Sequence, residues 1–192
     1  MDYQLTSYNL KLGLYFKTKK RQKAVFHFLK SLNADFLCLQ ETPLKLFREK
    51  ATLQGIGKEG LKYFEYQTHE HVFIGPQGNC IITHHPVTET FYWDLSYSNH
   101  EPRGAVAIKL QLNHSPFMIV CVHLGLKYKE RVFQLLTLKK YLKDHLDLPL
   151  IICGDFNDWR DHIKNDPFFS LYFENAFRGK KSIKTFPSFF PM

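Results

Sequence analysis

Five polar residues stand where short apolar runs break off, and their types suit a phosphate-handling site. Asn9 closes QLTSYN (4–9), Glu41 follows DFLCLQ (35–40), His123 closes FMIVCVH (117–123), and Asp155 and Asn157 follow PLIICG (149–154). In open α/β-type sheets, ligand sites form at the carboxyl ends of strands, where strand tips gather residues distant in sequence. Asp155 and Asn157 are two apart, so in extended backbone their side chains share a face. With Glu41 they offer hard oxygen donors of the kind Mg²⁺ takes, water and substrate phosphate completing the shell. His123 adds a proton donor or acceptor near neutral pH. Singly, each residue has an ordinary reading. An Asp after Gly154 reads as a turn residue, a Glu before Thr-Pro as a helix start, and a His at a strand end as a core-edge residue. Only the constellation points to metal-assisted phosphate chemistry.

The elements that must position these residues follow from periodicity. Strands are expected over 4–9, 35–40, 61–66, 71–75, 79–84, 90–95, 104–112, 117–123 and 149–154. In 18–32, Ala24, Val25, Phe28, Leu29 and Leu32 fall at helical spacing, opposite the basic run Lys17, Lys19, Lys20, Arg21 and Lys23. In 128–145, Val132, Leu135, Leu136 and Leu142 form one helical face. Further helices are expected over 43–54, with Pro43 near the first turn, and over 167–177. Strand–helix alternation flanks a middle run of strands without helices, which suggests an α+β sandwich. There is no internal repeat and no Gly-, Pro- or Ser-rich linker, so residues 1–192 read as a single domain.

Composition narrows the class. The chain has 192 residues, 44% hydrophobic and 23% charged, which excludes disordered, collagen-like and low-complexity readings. Its apolar runs are too short to span a bilayer, and no secretory leader opens it. The expectation is a soluble, cytoplasmic protein without stable membrane insertion and without an obligate protein partner. Twenty-six basic against 18 acidic residues leave a formal charge of +8, which favours polyanionic partners such as nucleic acid, phosphorylated small molecules or anionic membrane surface. Cys38, Cys80, Cys121 and Cys153 are far apart, each in an apolar segment, and read as core thiols of a reducing compartment. The end of the chain, TFPSFFPM, is an apolar cluster that must dock on a core or belong to a domain that continues.

The segments LCLQE (37–41), RGAVAIKL (103–110), IVCVHLGL (119–126), IICGDFNDW (151–159) and TFPSFFP (185–191) resemble the endonuclease/exonuclease/phosphatase superfamily. That is the fold of pancreatic deoxyribonuclease, abasic-site endonuclease, inositol polyphosphate 5-phosphatases and bacterial sphingomyelinase. The resemblance covers nearly the whole chain. It implies a four-layer αββα sandwich with two mixed β-sheets, and a hydrolase using Mg²⁺, or Mn²⁺ in its place, on a phosphodiester or phosphomonoester. Residue by residue, Glu41 would bind the metal and Asn9 would help hold metal and phosphate. His123 would hydrogen-bond the scissile phosphate or assist proton transfer. Asp155 would orient or deprotonate the attacking water, and Asn157 would contact phosphate oxygen. Arg103 would be a weaker phosphate contact. Charge ranks nucleic acid first among substrates, then phospholipid or another phosphorylated small molecule.

The resemblance fails at one point. Relatives continue after TFPSFFP into a strand carrying an aspartate and a terminal Ser-Asp-His motif, and this chain ends at Met192 before either. The expectation is therefore a C-terminally shortened member, lacking the last strands, with reduced activity or as an inactive remnant or binding protein that keeps the fold. Other signals carry less. Gly55-Ile56-Gly57-Lys58-Glu59-Gly60 spells G-x-G-x-x-G, but without the preceding strand and following helix of a dinucleotide site it reads as a loop. His69-Glu70-His71 and His84-His85 have no Cys or His at ligand spacing and read as solvated loops. No G-x-S-x-G elbow is present. The basic run 17–23 and Arg178, Lys180, Lys181 and Lys184 read as solvated faces able to meet a phosphate backbone.

Overall fold

A computed structural model describes residues 2–11, 18–44, 56, 62–71 (backbone) and 75–176. The chain divides into two compact units, Met1–Asn157 and Asp158–Met192. In the first, β1 (Leu5–Asn9), α1 (Lys19–Ser31), β2 (Phe36–Pro43), β3 (Lys62–His71), β4 (Gly75–Thr83), β5 (Val87–Asp94), β6 (Gly104–Leu112), β7 (Ser115–His123), α2 (Tyr128–Lys143) and β8 (Leu150–Asp155) follow in order. They form two four-stranded sheets, ordered β1-β2-β4-β3 and β5-β6-β7-β8. Both are mixed. β1 runs parallel to β2 and β7 parallel to β8, while the other pairings are antiparallel.

The strand sequences explain the stacking. Alternation places Phe36, Cys38 and Ile81 of the first sheet against Val106, Ile108, Leu110, Ile119 and Cys121 of the second, forming the inter-sheet core. The opposite alternation set, Leu37, Leu39, Cys80 and Ile82, packs against α1 through Leu29, Val25, Phe26 and Leu32. On the second sheet α2 buries Leu135, Leu138 and Leu142, and Trp93 of β5 stacks on Tyr141 at 5.2 Å. This is the αββα order of layers and the expected α+β fold. Each of the four cysteines is a free thiol. Hydrogen bonding with Cys121, then with Cys153, together with burial, pushes the Cys38 thiol well above its ordinary range and keeps it protonated.

Several expectations shift. β2 continues through Pro43, so that residue ends a strand; the rest of the expected helix 43–54 lies outside the described residues, apart from Leu44. Segment 71–75 is not a strand of its own: His71 ends β3, Gly75 begins β4, and 72–74 lie outside the description. His69-Glu70-His71 therefore belongs to β3 rather than to a loop. On α1, Ala24 and Phe28 face outward, and on α2 Val132 and Leu136 are exposed while Leu138 is buried. Apolar spacing alone cannot tell a core stripe from its neighbour one residue away. In the second unit, α3 (Pro167–Tyr172) is shorter than expected and is capped by the Asp166 carboxylate, which accepts the Phe168 and Phe169 N–H groups at 3.0 and 3.4 Å. Except for Ile56, the Gly55–Gly60 loop lies outside the described residues, as do Arg178–Lys184 and TFPSFFPM. Among the described residues no helix is long and apolar enough to cross a membrane.

Gly154 leaves no room for a side chain in the second sheet. Its φ is 142°, and a Cβ built there would run into the Val122 carbonyl on the neighbouring strand. Gly154→Ala must separate β8 from β7 just before Asp155. It is expected to cost about 2–4 kcal/mol in urea unfolding, above the usual range for a single added methyl in a packed site.

Candidate active site

Asn9, Glu41, His123 and Asp155 come together at one end of the two sheets, and local backbone explains how. The pairing of β2 with β4 steps from Leu39–Cys80 to Thr42–Gly78, so Gln40 and Glu41 face the single residue Asn79. This is a β-bulge, which turns the strand and re-aims its side chains. Within it Glu41 takes φ 51°, a left-handed conformation unusual for a residue with a long side chain. Strain of this kind costs on the order of 1–3 kcal/mol and persists where surrounding contacts hold it. Gln40, fully buried, anchors the bulge: its amide donates to the Cys38 carbonyl at 3.0 Å and to the Cys121 sulfur of the opposite sheet at 3.2 Å.

Asn9 and Asp155 are each fixed by an Asx turn. The Asn9 Oδ1 accepts the Lys11 N–H at 2.8 Å, and the Asp155 Oδ1 accepts the Asn157 N–H at 3.0 Å. The remaining polar atoms of both side chains then point across the site. The Asn9 Nδ2 donates to Glu41 Oε1 at 3.1 Å and to Asp155 Oδ2 at 2.9 Å. One amide thus spends both its N–H groups on two carboxylates from different sheets. Those carboxylate oxygens lie at most about 6 Å apart, because both reach the same nitrogen. All three residues are half-buried.

His123 lies opposite Asp155 in the parallel β7–β8 register. Its ring is buried, with Nε2 4.0 Å from Asp155 Oδ2, beyond hydrogen-bond length. Asn157 adopts φ 49°, which Asn tolerates better than most residues, and its Nδ2 donates to the Leu124 carbonyl at 2.7 Å. That bond ties the GDFN turn to the loop after His123. Arg103 precedes β6 at the same end of the second sheet, since Ala105 pairs with Val122. It is buried, its Nη2 binds Glu101 Oε2 at 2.7 Å, and its Nε has no hydrogen-bond partner. It lines a cleft of about 360 Å³ together with His100, Glu101, Leu126, Lys127 and Glu130.

Two sets of supporting residues carry no motif and escaped sequence reading. Buried Glu130, Arg131 and Gln134 of α2 hold the turn after His123. Gln134 accepts the Gly125 N–H at 2.8 Å, and Arg131 donates to the Gly125 and Leu126 carbonyls. Their spacing on a helix expected to be polar outward was the available signal. Asn79, buried opposite the bulge, donates to the Gly104 carbonyl at 2.7 Å and so joins β4 to the start of β6. His84 and His85, expected in a solvated loop, are instead largely buried beside Asp35, away from this site.

A pair of converging, half-buried carboxylates fits a hard divalent ion. Such an ion takes one or two carboxylates and fills its shell with water and substrate oxygens. Among the described residues, Glu41 and Asp155, with the Asn9 amide between them, could hold it.

With this geometry the kinship of the chain becomes specific. The sequence profile of the Endonuclease/Exonuclease/phosphatase family matches residues 6–190, and the chain belongs to that family. Members of the superfamily are hydrolases acting on phosphoesters and are generally dependent on divalent metal. An uncharacterized protein, YbhP of Escherichia coli (strain K12), is 25% identical over 85% of this chain and 70% of its own. The human Nocturnin catalytic domain, solved with a bound sulfate anion, shares the fold with a TM-score of 0.68 at 20% identity over 81% of this chain. ANGEL2, a 2',3'-cyclic phosphatase, aligns with a TM-score of 0.66 at 16% identity over 93% of this chain. The chain spans 64% of the Nocturnin chain and 63% of the ANGEL2 chain.

If the Asn9 amide is what reconciles the two carboxylates, Asn9→Ala leaves them facing one another without their shared donor. The variant is expected to lose about 1–3 kcal/mol in melts run with EDTA. Mg²⁺ should recover more stability in the variant than in the parent, because a cation takes over the role of the lost N–H groups. Equal destabilisation with and without Mg²⁺ would contradict this account.

Proposed function

We propose that this protein is a metal-dependent phosphoesterase that hydrolyses phosphodiesters through Glu41, Asp155 and His123. The observation that carries the reading is the Asn9 amide binding Glu41 and Asp155 together, with the His123 ring facing the same aspartate. Nucleic acid is the first choice of substrate and phospholipid the second, with Mg²⁺ as the metal and Mn²⁺ as its substitute. A formal charge of +8 suits a polyanion.

When bound, the metal would neutralise charge on the phosphate oxygens. The chain's own residues do the rest. Glu41, aimed by the bulge, would present its carboxylate to the metal. Asn9 keeps the two acidic groups from separating and fixes their orientation. Asp155 has one oxygen held by the Asn157 N–H and the other directed into the site, which suits it to orient an attacking water. His123 Nε2 and Asp155 Oδ2 lie 4.0 Å apart, close enough to address one reacting oxygen together, with His123 moving the proton at Nε2. Asn157 holds Asp155 through its backbone N–H and gives one amide N–H to the Leu124 carbonyl, which leaves its second amide N–H for a phosphate oxygen. Arg103, a buried cation lining the cleft, would contact a substrate anion only by sharing its guanidinium with Glu101.

The test is hydrolysis of bis(p-nitrophenyl) phosphate by the purified chain with Mg²⁺. EDTA should abolish it, and Glu41→Ala and Asp155→Ala should each lower kcat by at least about 100-fold, while His123→Ala should lower it by about 10²–10⁴-fold. Plasmid nicking that weakens steeply with salt would select nucleic acid over phospholipid. A cooperatively folded sample without hydrolysis would overturn the reading and favour an inactive member that retains the fold.

A further inference from the structure

At the opposite end of the first sheet, Asp35, His84 and His85 form a cluster that no catalytic role uses. Asp35 precedes β2 and the two histidines follow β4. Phe36 pairs with Thr83, so the antiparallel register sets these ends side by side. Asp35 and Glu41 are six residues apart along β2, about 20 Å in extended backbone, which makes this a location separate from the candidate active site.

Adjacent residues in a strand point to opposite faces, but here the chain bends after Thr83. The Thr83 Oγ1 accepts the His85 N–H at 3.1 Å, and both imidazoles turn to the same side with ring centres 4.1 Å apart. His85 is oriented further by stacking on Phe36 at 5.0 Å and by an edge contact with Tyr3 at 5.4 Å. Asp35 is equally fixed: its N–H donates to the Gln4 carbonyl and its Oδ2 accepts the Gln4 N–H, each at 2.9 Å. The other oxygen, Oδ1, lies 3.8 Å from the Nε2 of both histidines. Each gap exceeds a hydrogen bond, and the buried Nε2 of His85 has no hydrogen-bond partner. One ligand atom from each residue lies within 4.8 Å of the others.

We propose that Asp35, His84 and His85 bind a divalent transition ion of the Zn²⁺ class. An ion with bonds of about 2.0–2.1 Å holds tetrahedral donors about 3.3–3.4 Å apart, so the two carboxylate–imidazole separations need to close by about half an ångström and the third by at most about 1.5 Å. Two imidazoles and one carboxylate select Zn²⁺, Co²⁺ or Ni²⁺ over Mg²⁺ and Ca²⁺, which prefer oxygen. Side-chain exposures of 22% for His84 and 17% for His85 leave one face accessible to solvent, where water completes the shell. The bound ion clamps the N-terminal segment at Gln4 and the start of β2 to the end of β4.

The test uses the whole chain carrying Glu41→Ala and Asp155→Ala, which removes the other carboxylate pair, stripped with chelator and titrated with Zn²⁺ against a chromogenic competitor. About one equivalent is expected, with a rise in Tm. His85→Gln, or His84→Gln as a second variant, should weaken binding at least 10-fold and remove the rise in Tm. Co²⁺ in the same background should give the intense visible bands of a low-coordinate site with nitrogen donors. Those bands report the ligands even where a histidine variant does not fold. Zn²⁺ binding unchanged in both histidine variants, no binding by the folded protein, or a weak six-coordinate Co²⁺ spectrum would overturn the proposal. Hydrolysis by the otherwise unaltered chain should be unchanged by His85→Gln.

Discussion

Two carboxylates on separate sheets, Glu41 and Asp155, are held close together although their mutual repulsion opposes it. Stacked sheets lie about 10 Å apart, so Glu41 and Asp155 can meet only if their side chains lean across the sandwich. The Asn9 amide joins both, within hydrogen-bond distance of each. Much of the nearby structure serves this single nitrogen. The Asx turn at Lys11 orients the amide, the bulge at Gln40 and Glu41 swings the glutamate, and the Asx turn at Asn157 locks the aspartate.

Around this centre the sandwich interior is polar in a restrained way. Gln40, Asn79 and Gln134 are buried, and each has a hydrogen-bond partner: the Cys121 sulfur, the Gly104 carbonyl and the Gly125 N–H. A buried amide left unsatisfied is costly, so each of these bonds specifies one relative placement of strands or loop. The first two link sheet to sheet, and the third fixes the loop after His123. Left-handed backbone at Glu41 and Asn157 persists beside these bonds, which hold the bulge and the loop after His123 in place.

The two ends of the first sheet differ in chemistry. One gathers hard oxygen donors around a shared amide. The other gathers imidazoles against a carboxylate, backed by Phe36 and Tyr3. The distinction arises because an acidic residue stands just before β2, Asp35, and another near its far end, Glu41, and the neighbours supplied by the chain around β1 and β4 are different at each. Kinship to phosphoester hydrolases bears on the first end only.

Strand positions and the α+β class were legible in the chain because short apolar runs such as 35–40, 104–112 and 117–123 are a local property, while the αββα order followed only from the resemblance carried by LQE, VHL and GDFN. The polar residues at strand ends could likewise be singled out, since an ionisable group ending an apolar run is visible without coordinates. Distances were not legible. That Asn9 spends its nitrogen on both carboxylates, that Glu41 sits in a bulge, and that Asn157 turns its amide to Leu124 depend on pairings between residues up to 146 positions apart. The same holds for His84 and His85, which look like a solvated pair until β4 is laid beside β2. Type and periodicity are written residue by residue, whereas a site is a sum of long-range registers, and those exist only once the sheets have closed on each other.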